Sequence, residues 1–343
     1  MIRKLIAALL GGIAIASGSA LAQTKVDGIS LEEYFKLPEM AGIVISPNGK
    51  FMAATMPFKG RMNLGVVDLE NRKAAALSAY TDFDVQGVRW IGNDKLLYTL
   101  GQNNTPTGPG RFDGGGLFVI GRDGSGFRAL SMTVKETRAR NTYVYRGLDF
   151  FRRISGNDNE VIASGNMTSA ESEDLYRLDL RNGKYTLLTR DRPADYTSNW
   201  IMDDDLVPRV VTSWVRDTLT YIVHYRKDAN SPWYEIARYE RNKAPIFVPV
   251  ALLKDGSLQV AWNGDPSRDT VGVYKFDPVA KKMGELIASH PRYDMGANAA
   301  GDSVAGVVLD PDSEKPIGFR VNAGKPEVVW LDEKYAATVA GFD

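Results

Sequence analysis

Cysteine is absent from the 343 residues, and histidine occurs only at His224 and His290. No disulfide, thiolate metal site or cysteine nucleophile can form. Two histidines also exclude a histidine-rich metal centre. Charge of one sign is not in excess: 42 Lys and Arg stand against 42 Asp and Glu. A neutral chain has no global electrostatic drive toward nucleic acid or acidic membranes. Beyond the first segment, no apolar run approaches the ~20 residues of a spanning helix. What is present is ordinary for a folded protein: 44% hydrophobic and 24% charged residues. That balance excludes a disordered chain and a collagen-like fibre. The length predicts about two domains, or one long all-β unit.

The first segment reads as an address. Arg3 and Lys4 precede an apolar run from Leu5 to Ile15, and Ala20-Leu21-Ala22 supplies a small-x-small cleavage pattern. This predicts a secretory signal peptide over 1–22, cleaved before Gln23. The remaining 321 residues would carry 40 basic and 42 acidic groups. The expected location is periplasmic or secreted, with no stable membrane span after cleavage.

A helical segment is expected over 23–40. Ser30-Leu31-Glu32-Glu33 has the form of a capping box, and Pro38 ends the helix. Glu32 and Glu33 are assigned to capping and solvation, not to binding a substrate amine.

From Gly42 the pattern changes to short β-rich runs divided by turn dipeptides. Asn48-Gly49, Asp123-Gly124, Asn182-Gly183 and Asp255-Gly256 are such turns, as is Asn322-Ala323-Gly324. Asn and Gly tolerate the positive φ of hairpin turns. An apolar strand, a turn and a second apolar strand recur six times. Their anchors are Asp68, Gly121, Asp179, Glu240, Asp277 and Asn322, at intervals of 53, 58, 61, 37 and 45. Four-stranded propeller blades with loop insertions take ~40–50 residues each. The fold class expected is therefore all-β, a β-propeller over 41–329 with six countable units. Radial packing buries both faces of each blade. This repeated double hairpin favours a propeller over two β-sandwich domains. Gln102 to Gly116 and the basic stretch Ser131 to Arg146 read as surface loops.

Few residues suggest chemistry. There is no G-x-S-x-G in the mature chain. Ser125, in Gly124-Ser125-Gly126, reads as a turn former. His224 reads as a strand residue and His290, before Pro291, as a loop residue. Asp203-Asp204-Asp205 lacks the alternating ligands and glycine turn of a calcium loop and reads as a polar hairpin turn. Glu171, Glu173 and Asp174 read as a loop edge. Gly114-Gly115-Gly116 precedes a strand, where a phosphate cradle would open a helix. No catalytic, cofactor-binding or metal residue is assigned, and no cofactor is expected.

Several phrases resemble one family. They are Tyr34-Phe35-Lys36-Leu37-Pro38, then Ile45-Ser46-Pro47-Asn48-Gly49-Lys50, then Gly116-Leu117-Phe118-Val119 with Asp123-Gly124-Ser125-Gly126, and finally Val328-Val329-Trp330-Leu331-Asp332. In this order the chain from Thr24 to Asp343 resembles the N-terminal part of bacterial S9-family serine peptidases, the prolyl oligopeptidase and acylaminoacyl-peptidase group. The resemblance implies a seven-bladed propeller covering an α/β-hydrolase domain. That hydrolase domain holds the Ser/Asp/His triad, and no stretch of this sequence matches it. Leu331, Tyr335, Val339 and Phe342 have helical spacing, and 330–343 is expected to be a linker helix cut short. The function expected is a non-catalytic, substrate-gating propeller of an exported S9-type peptidase acting on short peptides. By itself the chain is expected to be inactive. The alternative is a free-standing TolB-like propeller that binds a protein or envelope partner on one face.

Overall fold

The computed structural model describes residues 25–26, 28–103, 114–310 and 313–342. The expected signal peptide lies outside these residues. So does most of the Gly/Pro-rich loop, residues 104–113. Among the described residues no helix is long and apolar enough to cross a membrane.

The chain divides into a small N-terminal unit up to Glu39 and a large unit from Met40. In the small unit, β1 (Lys25–Val26) pairs antiparallel with β2 (Ile29–Ser30), followed by α1 (Leu31–Tyr34). The Ser30 hydroxyl caps this helix by accepting the Glu33 N–H at 3.1 Å. The expected return bond from Glu33 is replaced by an ion pair to Lys36 at 3.7 Å. The helix also stops at Tyr34 rather than running to Pro38.

The large unit is a β-propeller. Blade 1 is β3 (Ala41–Ile45), β4 (Phe51–Phe58), β5 (Arg61–Asp68) and β6 (Lys73–Ala76). Blade 2 is β7 (Asp84–Ile91), β8 (Lys95–Gly101), β9 (Gly115–Gly121) and β10 (Arg128–Thr133). A helix, α2 (Val134–Ala139), then precedes blade 3. That blade is β11 (Leu148–Ile154), β12 (Asn157–Gly165), β13 (Asp174–Asp179) and β14 (Tyr185–Leu187). Blade 4 is β15 (Thr197–Met202), β16 (Pro208–Val215), β17 (Thr220–Tyr225) and β18 (Tyr234–Glu240). Blade 5 is β19 (Phe247–Leu252), β20 (Leu258–Trp262), β21 (Gly272–Asp277) and β22 (Lys282–Ala288). Each is an antiparallel meander in sequence order.

Blade 6 departs from this plan. It combines the pair β23 (Gly296–Ala297) and β24 (Val304–Ala305) with a sheet of β25 (Val307–Leu309), β26 (Pro316–Ala323) and β27 (Lys325–Trp330). β24 and β25 are separated only by Gly306, at φ +70°. The helix α3 (Glu333–Ala340) follows, capped by Asp332 and ended at Gly341. That glycine is a stop the spacing of apolar residues did not reveal.

Two expectations change here. The basic stretch Ser131–Arg146 is not all loop: it contains α2, with a full capping box between Thr133 and Glu136. The repeat is also more regular than the sequence anchors suggested. Glu240 ends the fourth strand of blade 4, and Asn322 lies near the end of β26, the strand before the last of blade 6. The third strand of each blade ends at residues 68, 121, 179, 225, 277 and 330, at intervals of 53, 58, 46, 52 and 53.

Apolar side chains from facing sheets fill five seams. One cluster joins Leu64 and Val66 of blade 1 to Trp90, Leu96 and Phe118 of blade 2. Others join blades 2 and 3, 3 and 4, 4 and 5, and 5 and 6. Among the described residues no such cluster joins blade 6 to blade 1. Burial at ~25 cal/mol per Å2 is the main force holding neighbouring blades together.

Candidate functional site

The first strand of each blade carries a bulge. Register breaks fall between Gln86 and Arg89 in β7, Phe150 and Arg152 in β11, Ser198 and Ile201 in β15, and Pro249 and Ala251 in β19. Two are held by left-handed residues, Gly87 at φ +60° and Asn199 at φ +50°. A bulge re-aims the side chain that follows it. Here Arg89, Arg152, Ile201 and Ala251 all line one cavity of about 510 Å3. The turn around Glu314 and Lys315 of blade 6 closes its other side.

The cavity is walled by ion pairs. Arg152 donates to the Asp203 carbonyl at 2.9 Å and meets the Asp204 carboxylate at 3.3 Å. Lys315 reaches the same carboxylate at 2.7 Å, and Arg209 pairs with Asp203 at 2.9 Å. Arg153 pairs with Glu314 at 3.4 Å. The hydrogen bond from Lys315 holds the Asp204 carboxyl below its ordinary range, despite partial desolvation. The Asp203-Asp204-Asp205 turn is thus a hairpin turn, as its sequence suggested. Its Asp203 carboxylate accepts the N–H of Asp205 at 3.1 Å and of Val207 at 2.9 Å. Among the described residues no group of three or more His, Asp or Glu is placed to hold a metal ion.

Arg89 has no carboxylate partner among the described residues and lies 5.1 Å over the Phe150 ring. Asp205 is exposed at the cavity rim. The cavity therefore offers unused charge of both signs beside aromatic and aliphatic walls.

Glu171, Glu173 and Asp174 do not form one loop edge. Glu171 is exposed and ion-paired with Arg216. Asp174 begins β13 with no exposed surface; it takes Arg192 at 3.0 Å and the Thr168 and Thr189 hydroxyls at 2.8 Å. Glu173 lies between them, half-buried. Burial pushes its carboxyl up, against hydrogen bonds from Ser164 and the Asn199 N–H. Asp149 on β11 is raised by burial too.

The histidines find partners that linear spacing hides. His224 Nε2 lies 2.8 Å from Ser213 Oγ, on the neighbouring strand and 11 positions away. Glu235 stands opposite His224 on β18. The row resembles a triad in composition only. Ser213 is 2% exposed, which leaves no approach for a carbonyl carbon. Glu235 is held bidentately by Arg238, at 3.1 and 2.7 Å, rather than orienting the imidazole. His290 is buried in a loop, its Nδ1 accepting the Arg292 N–H at 3.2 Å. Ser125 donates to Asp123 within its turn at 2.6 Å. Gly116 donates its N–H to the Tyr145 hydroxyl at 3.0 Å at the start of β9.

The cavity residues Arg89 and Arg152 were not singled out in the sequence. The one local signal is a glycine inside a strand pattern, Gly87 two places before Arg89, which marks a bulge.

No protein-family model and no curated protein matches the sequence. Solved structures do. Oligogalacturonate lyase from Vibrio parahaemolyticus is similar at 12% identity and TM-score 0.48, over 87% of this chain and 80% of that one. Porphyromonas gingivalis dipeptidyl peptidase 4 matches at 8% identity and TM-score 0.48, over 76% of this chain. TolB from Acinetobacter baumannii matches at 11% identity and TM-score 0.36, over 72% of this chain. The chain spans 40% of that peptidase and 55% of that TolB. At these identities the likeness extends to the propeller fold alone.

Proposed function

We propose that the chain is a non-catalytic propeller that admits and holds short peptides at its axial cavity, as the substrate-gating part of an exported S9-type serine peptidase. One observation carries this reading: the cavity presents unused positive charge at Arg89 and unused negative charge at Asp205, with Phe150 and Trp200 beside them. A short peptide has one terminus of each sign and an apolar body. The volume of about 510 Å3 falls in the ~300–1,000 Å3 range of small-ligand sites.

Trp200 lines the cavity and supplies the readout. Titration with a neutral tetrapeptide should change its fluorescence saturably, and Arg89→Ala should weaken that binding about tenfold, the loss of a charge-assisted contact of ~1.5 kcal/mol. A fluorophosphonate should leave the chain unlabelled. Absence of peptide binding, or a labelled serine, would overturn the reading.

A second reading, a TolB-like propeller bound to a protein or envelope component, rests on another surface. Ile43 and Ile45 of β3 are 55% and 51% exposed, at the blade that among the described residues has no apolar seam to blade 6. Retention of a partner that is released by Ile43→Ser would favour it.

A further inference from the structure

We propose that the peptides held at the axis are acidic, and that their carboxylates lie along a basic cleft leading outward between blades 4 and 5. This rests on the peptide reading above and narrows it to a ligand class. The cleft has a volume of about 860 Å3 and shares Arg209, Lys254 and Gly256 with the axial cavity, so the two are continuous.

Its charge is unbalanced. Five cations line it, Arg209, Lys227, Lys254, Lys275 and Lys282, against the carboxylates of Asp255 and Asp277. That is an excess of three positive charges in a chain whose formal net charge is zero. The two carboxylates are already engaged. Asp255 takes Lys275 at 2.8 Å and the Ser257 N–H at 3.0 Å. Asp277 accepts the N–H groups of Val279 and Ala280, at 2.8 and 3.0 Å. Arg209 is used by Asp203. Lys227, Lys254 and Lys282 are left without a carboxylate partner among the described residues.

These three lysines come from separate places: the turn between β17 and β18, the turn between β19 and β20, and the start of β22. Folding brings them to one cleft although like charges repel. A solvated charge run in the sequence would not converge in this way. The wall between them is apolar, with Val279 70% exposed beside Pro278 and Met283. An extended peptide in which acidic and apolar residues alternate matches both features. Nucleic acid is disfavoured because bases need open aromatic faces, and the cleft's one aromatic ring, Tyr225, is buried.

The test compares two fluorescent octapeptides on the full chain, one neutral and one with alternating glutamates. The acidic peptide should bind at least tenfold tighter at 50 mM salt, with the difference shrinking at 500 mM as screening shortens the reach of charge. Lys227→Ala/Lys282→Ala should abolish that preference and leave the neutral peptide's affinity and the melting temperature unchanged. Equal binding of the two peptides, or a preference that survives the double variant, would overturn the acidic class while leaving the peptide reading intact. Binding of neither peptide would overturn both. Displacement of the acidic peptide by oligogalacturonate or single-stranded DNA at equal charge concentration would show a cleft that reads charge alone, and would also reject the proposal.

Discussion

Burial moves Glu173 and His224 in opposite directions. The glutamate is raised and the histidine lowered. In both cases burial disfavours the charged form. A raised carboxylate contributes stability that is fully present below the unfolded value, ~4.3, and lost as pH rises through its folded value. A lowered histidine loses stability as pH falls below ~6.5, because the unfolded chain then binds the proton more readily. Glu173→Gln keeps the shape and removes the carboxylate's charge. It should raise stability at pH 7 relative to the parent and change little at pH 4, as read from urea midpoints. Equal shifts at both pH values would show that solvation of Glu173 is not the cause. None of this was legible in the sequence, where Glu171, Glu173 and Asp174 look alike. Their fates are decided by strand position. Asp174 begins β13 and points into the blade against Arg192, whereas Glu171 stays in solvent with Arg216. The two tryptophans Trp90 and Trp262 differ in the same way. Trp90 is buried and donates to the Val44 carbonyl at 3.1 Å, while Trp262 ends β20 half-buried against Tyr274.

At the scale of the strand, the recurring device is the bulge near the end of each first strand. Gly42, Gly87, Asn199 and Gly306 hold φ of +59°, +60°, +50° and +70°. Each is three or four positions before its strand ends. Glycine or asparagine is the residue type that adopts this conformation at low cost. At Gly306 a Cβ would also meet the Arg320 carbonyl oxygen at 2.6 Å, whereas at Gly87 it would meet only Thr99 Oγ1 at 3.4 Å. Both Gly→Ala changes should destabilise, Gly87→Ala by ~1 kcal/mol and Gly306→Ala by ~2 kcal/mol or more. Equal costs in denaturant melts would mean that blade 6 relaxes around the added methyl. The strands and their turns were readable from apolar alternation and Asn-Gly or Asp-Gly pairs. The misplaced anchors at Glu240 and Asn322 have one cause. A hairpin between a blade's third and fourth strands has the same pattern as any other hairpin, so phase within the repeat is lost. Bulges alone do not restore it: one recurs in every first strand, but register also breaks between β9 and β10 and between β17 and β18.

Across the whole molecule, among the described residues, blades 2 to 5 each have an apolar seam on both sides, whereas blade 6 has one, toward blade 5. Polar contacts also tie it to other blades: Glu314 to Arg153, Lys315 to Asp204 and Asp302 to Arg241, with the Asn199 amide donating to the Asp302 carbonyl. Partly exposed pairs of this kind contribute ~0–1 kcal/mol each, less than the burial of even one Leu or Phe side chain at ~1.5–3 kcal/mol. Blade 6 should therefore open locally at a lower free energy than blade 3, where Val161, Ala163, Leu175 and Tyr176 have essentially no exposed surface. Amides of β26 should exchange faster than those of β12 and β13. Glu314→Ala/Lys315→Ala should speed exchange in β25 to β27 further and leave β12 and β13 unchanged, because the pairs lost belong to local opening of blade 6. High salt should imitate the double variant, since screening weakens exposed charge pairs and spares apolar seams. Protection of β26 equal to that of β12 in the parent would require a full apolar seam between blade 6 and blade 1. The ring would then close as a true sixfold propeller, and the exposed Ile43 and Ile45 would have to be covered in solution.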